Sequence, residues 1–108
     1  MTVLNIVQEL YELVGENRKG IEFYAEAMDR LARAEHTLDT VEAVAFIGAE
    51  GSVAERQAKA KLESAEARLA RDLAKAEVDR VRAKLRMIES AIMAQATAAK
   101  MVQAEMKL

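Results

Sequence analysis

Apolar residues recur at alternating spacings of three and four along most of the chain, the pattern of amphipathic helices that pack against one another. One series occupies the first fourteen residues, a heptad seam fills the middle, and two further stretches run through the second half, separated by a phase shift at Leu73 and Ala74. The pattern predicts an all-α protein. The predicted apolar positions are Val3, Ile6, Val7, Leu10, Leu13, Val14, Tyr24, Ala27, Leu31, Ala34, Leu38, Val41, Ala45, Ala58, Leu62, Ala65, Leu69, Val78, Val81, Leu85, Ile88, Ile92, Gln95, Ala99, Val102 and Met106.

Residues 48–52 have the composition of a turn between two long helices. Gly48 can end the first helix in a left-handed conformation, and Ser52 can cap the second, with Glu55 completing a capping box. The turn lies almost at the midpoint of the chain. We therefore expect a long antiparallel helical hairpin, a coiled coil, as a single domain over residues 1–108. Arm one covers about 2–47 and arm two about 53–107.

Residues 15–20 are the second irregularity, because a glycine stands at each end of this polar stretch. A glycine inside a helix costs only about 1 kcal/mol relative to alanine. The sequence is therefore compatible with a kink in one long helix and equally with a loop.

Composition and charge support the hairpin. The chain has 22 alanines and no proline, which favours helix nearly everywhere. Residues 1–50 carry a net charge of −6 and residues 51–108 a net charge of +4, so antiparallel arms are complementary. The absence of cysteine excludes disulfides and thiolate metal sites.

Two helices alone bury a narrow, alanine-rich strip, which is a thin core for a chain of this size. We therefore expect a homodimer in which two hairpins form a helical bundle. The methionines near the C-terminus fit either a core or a partner-binding surface. The residues proposed for the oligomer or partner interface are Val81, Leu85, Ile88, Ile92, Met93, Met101, Val102 and Met106.

The sequence offers little support for a catalytic site. His36 is the single histidine, and with Asp39 three residues away it reads as an exposed helix histidine beside an acid. No Glu-x-x-His pair and no phosphate-binding glycine loop is present. We expect no enzyme activity, no metal and no cofactor.

A series of basic residues on arm two is the strongest functional candidate. Such a stripe can follow a phosphate backbone, face an acidic protein, or be a solvated face paired with the acidic arm. Arm two carries no aromatic residue for base stacking, so nucleic acid is not the favoured partner. The residues are Arg68, Arg71, Lys75, Arg80, Arg82, Lys84 and Arg86.

No segment reaches the roughly 18 to 20 consecutive apolar residues of a membrane-spanning helix, and the N-terminal residues carry no positively charged leader. We expect a cytoplasmic protein without a membrane partner.

The run from Gly48 to Ala60, GAEGSVAERQAKA, followed by a long Arg/Ala/Glu helix, resembles small α-helical coiled-coil proteins of tailed bacteriophages. Their genes are often found in early clusters near recombination functions. The resemblance implies a non-enzymatic accessory role through protein–protein contact, in DNA recombination or replication or as a modulator of a host protein. In that case the cytoplasm is that of a bacterial host.

Two other interpretations fit parts of the sequence. A DNA-binding accessory that uses the basic stripe is the alternative function. The chain is also similar in length and central turn to the helical hairpins of type VII secretion, but it lacks their tryptophan and export signal.

Overall fold

Three α-helices make up nearly all of residues 2–107, the part of the chain that the computed structural model describes. They are α1 (Val3–Gly48), α2 (Val53–Glu63) and α3 (Ala65–Met106). Over this range the chain contains no strand. The all-α prediction is confirmed.

Helix α1 continues without interruption through residues 15–20, so the loop interpretation of this stretch is wrong. Asn17 and Gly20 are half-buried and fall in the same series of three and four residues as Tyr24 and Ala27. The apolar pattern therefore passes directly through the polar stretch. Contacts of this series with α3 outweigh the small intrinsic cost of glycine in a helix.

The turn lies where the sequence predicts it. The Ser52 hydroxyl accepts a hydrogen bond from the backbone N–H of Glu55 at 3.2 Å and caps α2. The left-handed residue, however, is Gly51 with φ 108°, and not Gly48 as predicted. Helix α1 runs up to Gly48, and the chain reverses only after Ala49, which is buried.

The second arm is divided at Ser64, whereas the sequence predicted one uninterrupted helix. Ser64 has φ −93° and ψ 6°, and its backbone N–H still bonds to the carbonyl oxygen of Ala60. Its side chain is fully buried, and its hydroxyl donates to the carbonyl oxygen of Lys61 at 3.3 Å. A serine that bonds to the preceding turn in this way competes with regular helix geometry.

The predicted seam of the second arm is also wrong between residues 58 and 74. Leu62, Leu69 and Leu73 are exposed, whereas Ala60 and Ser64 are buried. The phase shift at Leu73 and Ala74 is absent, because the buried side of the arm keeps one heptad frame throughout. Small residues face the partner helix here, and small side chains allow two helices to approach closely.

The name seam is used below for the following buried or half-buried positions, which repeat at three and four residues on both arms. On α1 they are Ile6, Leu10, Leu13, Asn17, Gly20, Tyr24, Ala27, Leu31, Ala34, Leu38, Val41 and Ala45, and on the second arm Ala60, Ser64, Ala67, Arg71, Ala74, Val78, Val81, Leu85, Ile88, Ile92, Gln95, Ala99 and Val102.

Contacts divide the chain into two compact units. Unit 1 contains the residues up to Tyr24 and those from Arg80 onward, and unit 2 contains residues 25–79. Unit 2 is a helical hairpin closed by the turn at residues 49–52. Unit 1 is an antiparallel helix pair, in which the Gln95 amide donates to the Glu9 carboxylate and Leu85 lies against the backbone of Gly20.

Candidate interaction surfaces

Arg56 closes the hairpin of unit 2 at its turn. Its Nε and Nη2 both donate to the carbonyl oxygen of Phe46 at 3.2 Å, and its guanidinium lies 4.4 Å from the centre of the Phe46 ring. The same carbonyl oxygen accepts a bond from the backbone N–H of Ala49 at 3.3 Å, and the cation beside it interacts favourably with the dipole at the C-terminus of α1. This contact joins the end of one arm to the start of the next.

Arg68, the first residue of the predicted basic stripe, is held inside unit 2. Its guanidinium donates to the Glu42 carboxylate at 3.3 Å, to the Ser64 hydroxyl at 3.0 Å and to the carbonyl oxygen of Lys61 at 3.4 Å. The side chain is only 29% exposed. Arg68 therefore joins the two arms beside the helix break.

Two further arginines of the stripe also bond within their unit. Arg71 occupies a seam position, and its Nε donates to Asp72 at 2.7 Å. In unit 1, Arg82 donates to the Tyr24 hydroxyl at 3.0 Å, with its guanidinium 5.7 Å from the centre of the ring. Arg80 has an interaction within the chain as well. Arg68 and Arg82 thus bond to residues of arm one, whereas Arg71 bonds to its neighbour on arm two.

Lys75, Lys84 and Arg86 are exposed. The predicted stripe is shared between the units, with Arg68, Arg71 and Lys75 in unit 2 and the other four residues in unit 1. Binding of nucleic acid or of an acidic protein through these residues stays a prediction.

The residues predicted for an oligomer or partner interface divide into two groups. Met93, Met101 and Met106 are exposed and available to a partner. The other five fill the seam against α1, because aliphatic side chains that repeat in heptads pack first against the helix of the same chain. These five are Val81, Leu85, Ile88, Ile92 and Val102.

Exposed apolar residues that were not proposed as a binding surface form two ordered series. The N-terminal stripe of unit 1 consists of Leu4, Val7, Tyr11, Val14 and Ile21, at spacings of three and four with Arg18 completing the series. The stripe could have been predicted from the sequence, where it forms a second heptad series beside the seam of α1.

The outer stripe of unit 2 consists of Ala58, Leu62, Ala65, Leu69 and Leu73, and it lies on the face of the arm opposite its seam. These are positions that the sequence analysis assigned to the core or to its phase shift. Leu62 is 78% exposed.

Two polar atoms are enclosed in the seam of unit 1. The side-chain oxygens of Asn17 and Gln95 are buried without a hydrogen-bond partner. A single asparagine in an apolar heptad seam is a known way to fix helix register at a cost in stability. Asn17 fits that role.

The histidine and the acidic side chains form no metal-binding cluster among the described residues. His36 is exposed, and no group of three or more His, Asp or Glu side chains within residues 2–107 is arranged to hold a metal ion. A hydrogen bond to Asp29, reinforced by its negative charge, raises the pKa of Arg33. Both members of that pair are exposed, so it is a surface ion pair.

None of the three helices, taken over the described part of the chain, combines the length and the apolar character needed to span a bilayer. Comparison with protein-family models, with curated proteins and with solved structures finds no match.

Proposed function

We propose that this protein is a non-enzymatic homodimer that binds another protein through an exposed helix face. One observation carries the proposal: among the described residues, eighteen large apolar side chains are exposed, whereas only Ile6, Leu38, Val78 and Ile88 are buried below a tenth of their surface. Contiguous exposed apolar surface on a small protein is typical of interaction sites.

The outer stripe of unit 2 is the surface proposed for the second protein. Its leucines follow one another at seven and then four residues on the side that the hairpin itself leaves uncovered, and such a pattern fits an amphipathic helix of a partner. In the phage-type context that the sequence resemblance implies, the partner belongs to DNA recombination or replication or is a host protein. The protein would then act in the cytoplasm of the bacterial host.

DNA binding through the basic residues ranks second. Arg68, Arg71 and Arg82 already bond within the chain, so a phosphate backbone would have to displace those contacts. A mobility-shift assay checks this alternative, and retention of DNA at about 50 mM salt with a steep salt dependence would favour it.

The substitution Leu62→Glu tests the outer stripe, with Ile47→Glu as the matched control. Both residues are in unit 2 and are exposed to nearly the same extent, at 78% and 76%, but only Leu62 belongs to the stripe. We expect Leu62→Glu to weaken capture of a cross-linked partner from producing cells by at least about tenfold, because a carboxylate would enter an apolar contact. Ile47→Glu should leave capture unchanged.

Circular dichroism of both variants checks that the helices remain intact. Equal partner capture by the two variants would contradict the role of the outer stripe. Loss of the same partner from both variants, with helicity retained, would also argue against it.

A further inference from the structure

We propose that the N-terminal stripe of unit 1 is the surface on which a second copy of this chain docks, with the two α1 helices antiparallel across a two-fold axis. The inference rests on the proposed homodimer and identifies its contact surface. It places that surface on α1, in contrast to the seam residues Val81, Leu85, Ile88, Ile92 and Val102, which α1 of the same chain already covers.

The geometry of the stripe specifies a helix as its partner. Its five apolar residues follow the same alternation of three and four as the seam, and that alternation keeps side chains aligned along a packed helix. Leu4, Tyr11 and Ile21 are each more than half exposed. From Leu4 to Ile21 the stripe extends over about 26 Å of helix.

The shape of the N-terminal stripe favours the same stripe of a second copy as its partner. Tyr11 is large and 76% exposed, whereas a methyl group placed on Gly15, four residues further on the same side of α1, would meet no other atom within 4 Å. In an antiparallel pair centred between residues 12 and 13, Tyr11 of each copy faces Val14 and the space beside Gly15 of the other. Because a two-fold contact repeats, one projection and one gap on the same chain complement each other twice.

Charge permits this pairing. Arg18 is the single charged residue in the series, and the antiparallel register places it opposite Val7, near an end of the contact where its guanidinium reaches water. The acidic residues Glu9, Glu12 and Glu16 lie on the other side of α1. No like charges therefore meet across the proposed axis.

Stable interfaces bury about 800 Å² on each partner, so the proposed dimer would also use residues of α3 beside the stripe. Arg82 contacts Tyr24 beside the end of the stripe at Ile21. Glu89 and Ala96 stand one and two heptads after Arg82, in the same position relative to the seam, and Met93 precedes Ala96 by three residues. Met93 is exposed and adds an adaptable apolar side chain to this side of unit 1.

Sedimentation equilibrium of the purified full chain at micromolar concentration tests the surface. We expect twice the monomer mass of 11.9 kDa. Tyr11→Ala should weaken the dimer at least about tenfold. Phe23→Ala is the matched control, because Phe23 is an exposed aromatic residue of α1 in unit 1 that lies outside the stripe. Its dissociation constant should equal that of the unchanged chain.

Gly15→Leu keeps the test valid if Tyr11→Ala lowers stability. Leucine favours helix over glycine, so this variant should be at least as helical while its side chain fills the gap and weakens the dimer. A monomer at every concentration, or a dimer that neither substitution weakens, would overturn the proposal.

Cross-linking tests the direction of the helices, since the chain has no cysteine of its own. A mixture of the Leu4→Cys and Ile21→Cys variants should form mixed disulfides, and each variant alone should form few. Efficient disulfides within the Leu4→Cys variant alone would show parallel helices and overturn the antiparallel arrangement. Partner capture that depends on Leu62 in a chain shown to be monomeric would leave the role of the outer stripe standing while this inference fails.

Discussion

Units 1 and 2 are both antiparallel helix pairs, but different side chains fill their seams. In unit 1 most seam positions hold Leu, Ile or Val, and Ile6 and Ile88 are buried. In unit 2 half of the seam positions hold alanine, a third hold Leu or Val, and Ser64 and Arg71 take the remaining two. Each unit buries two large aliphatic side chains almost fully, and in unit 2, where these are Leu38 and Val78, Arg56 and Arg68 add polar contacts that join the arms.

The difference follows from chain connectivity. Unit 2 folds back over a four-residue connection, so its arms meet at a small cost in chain entropy. The partners in unit 1 are far apart in sequence, as Glu9 and Gln95 illustrate, and closing the longer segment costs more. Larger apolar side chains in unit 1 offset that cost, since burial of a Leu or Ile side chain contributes about 1.5–3 kcal/mol.

The largest expected effect comes from truncating the seam of unit 1. Ile6→Ala should lower the free energy of unfolding by about 2–5 kcal/mol, because Ile6 is only 1% exposed and alanine would leave a cavity. Urea unfolding gives the magnitude, and amide hydrogen exchange should show the greater loss of protection in unit 1. Met87→Ala is the control at an exposed site. Equal loss of protection in both units would break the distinction between them.

We expect a smaller loss of stability when a larger side chain is placed in the seam of unit 2. Ser64→Leu should cost about 1–3 kcal/mol, because a larger side chain has no space at a fully buried position and removes the hydroxyl that Arg68 donates to. Ser90→Leu, at an exposed position of α3, should change stability little. Thermal unfolding followed by circular dichroism compares them. Equal melting temperatures would contradict the idea that unit 2 requires small seam residues.

The smallest expected effect is an increase in stability. Asn17→Leu should stabilise unit 1 by about 1 kcal/mol, because it removes a buried amide oxygen that has no hydrogen-bond partner. Asn5→Leu, at an exposed position of the same helix, serves as the control. Urea midpoints at unchanged slope measure the difference. A loss of stability for Asn17→Leu would show that the amide is better satisfied than the seam geometry indicates.

Local signals were sufficient to predict an all-α chain and the place of its central turn, but not the break at Ser64. The Ser52 cap with Glu55 and the reversal before it depend on neighbouring residues alone, so their pattern is legible in the sequence. The continuity of α1 through Gly15 and Gly20 is harder to predict from the sequence. It depends on contacts of the seam, such as Leu85 against Gly20, that form only when distant segments meet.

The seam of unit 2 was mispredicted because two series with the same period compete on one arm. Leu62 and Leu69 have the larger apolar side chains, and a prediction from hydrophobicity alone places them in the interface between the arms. The structure instead buries Ala60 and Ser64, whose size allows close helix packing. The basic residues of arm two are visible in the sequence, but contacts such as Arg82 with Tyr24 are not, because they join segments far apart in the chain.

The contact of Arg82 with Tyr24 also gives the protein an optical probe of its own. The chain has two tyrosines and no tryptophan to mask their emission. Tyr24 is half-buried with its hydroxyl bonded to arginine, whereas Tyr11 is exposed to water. With phenylalanine in place of Tyr11, the remaining fluorescence would come from the phenol that lies between the two helices of unit 1.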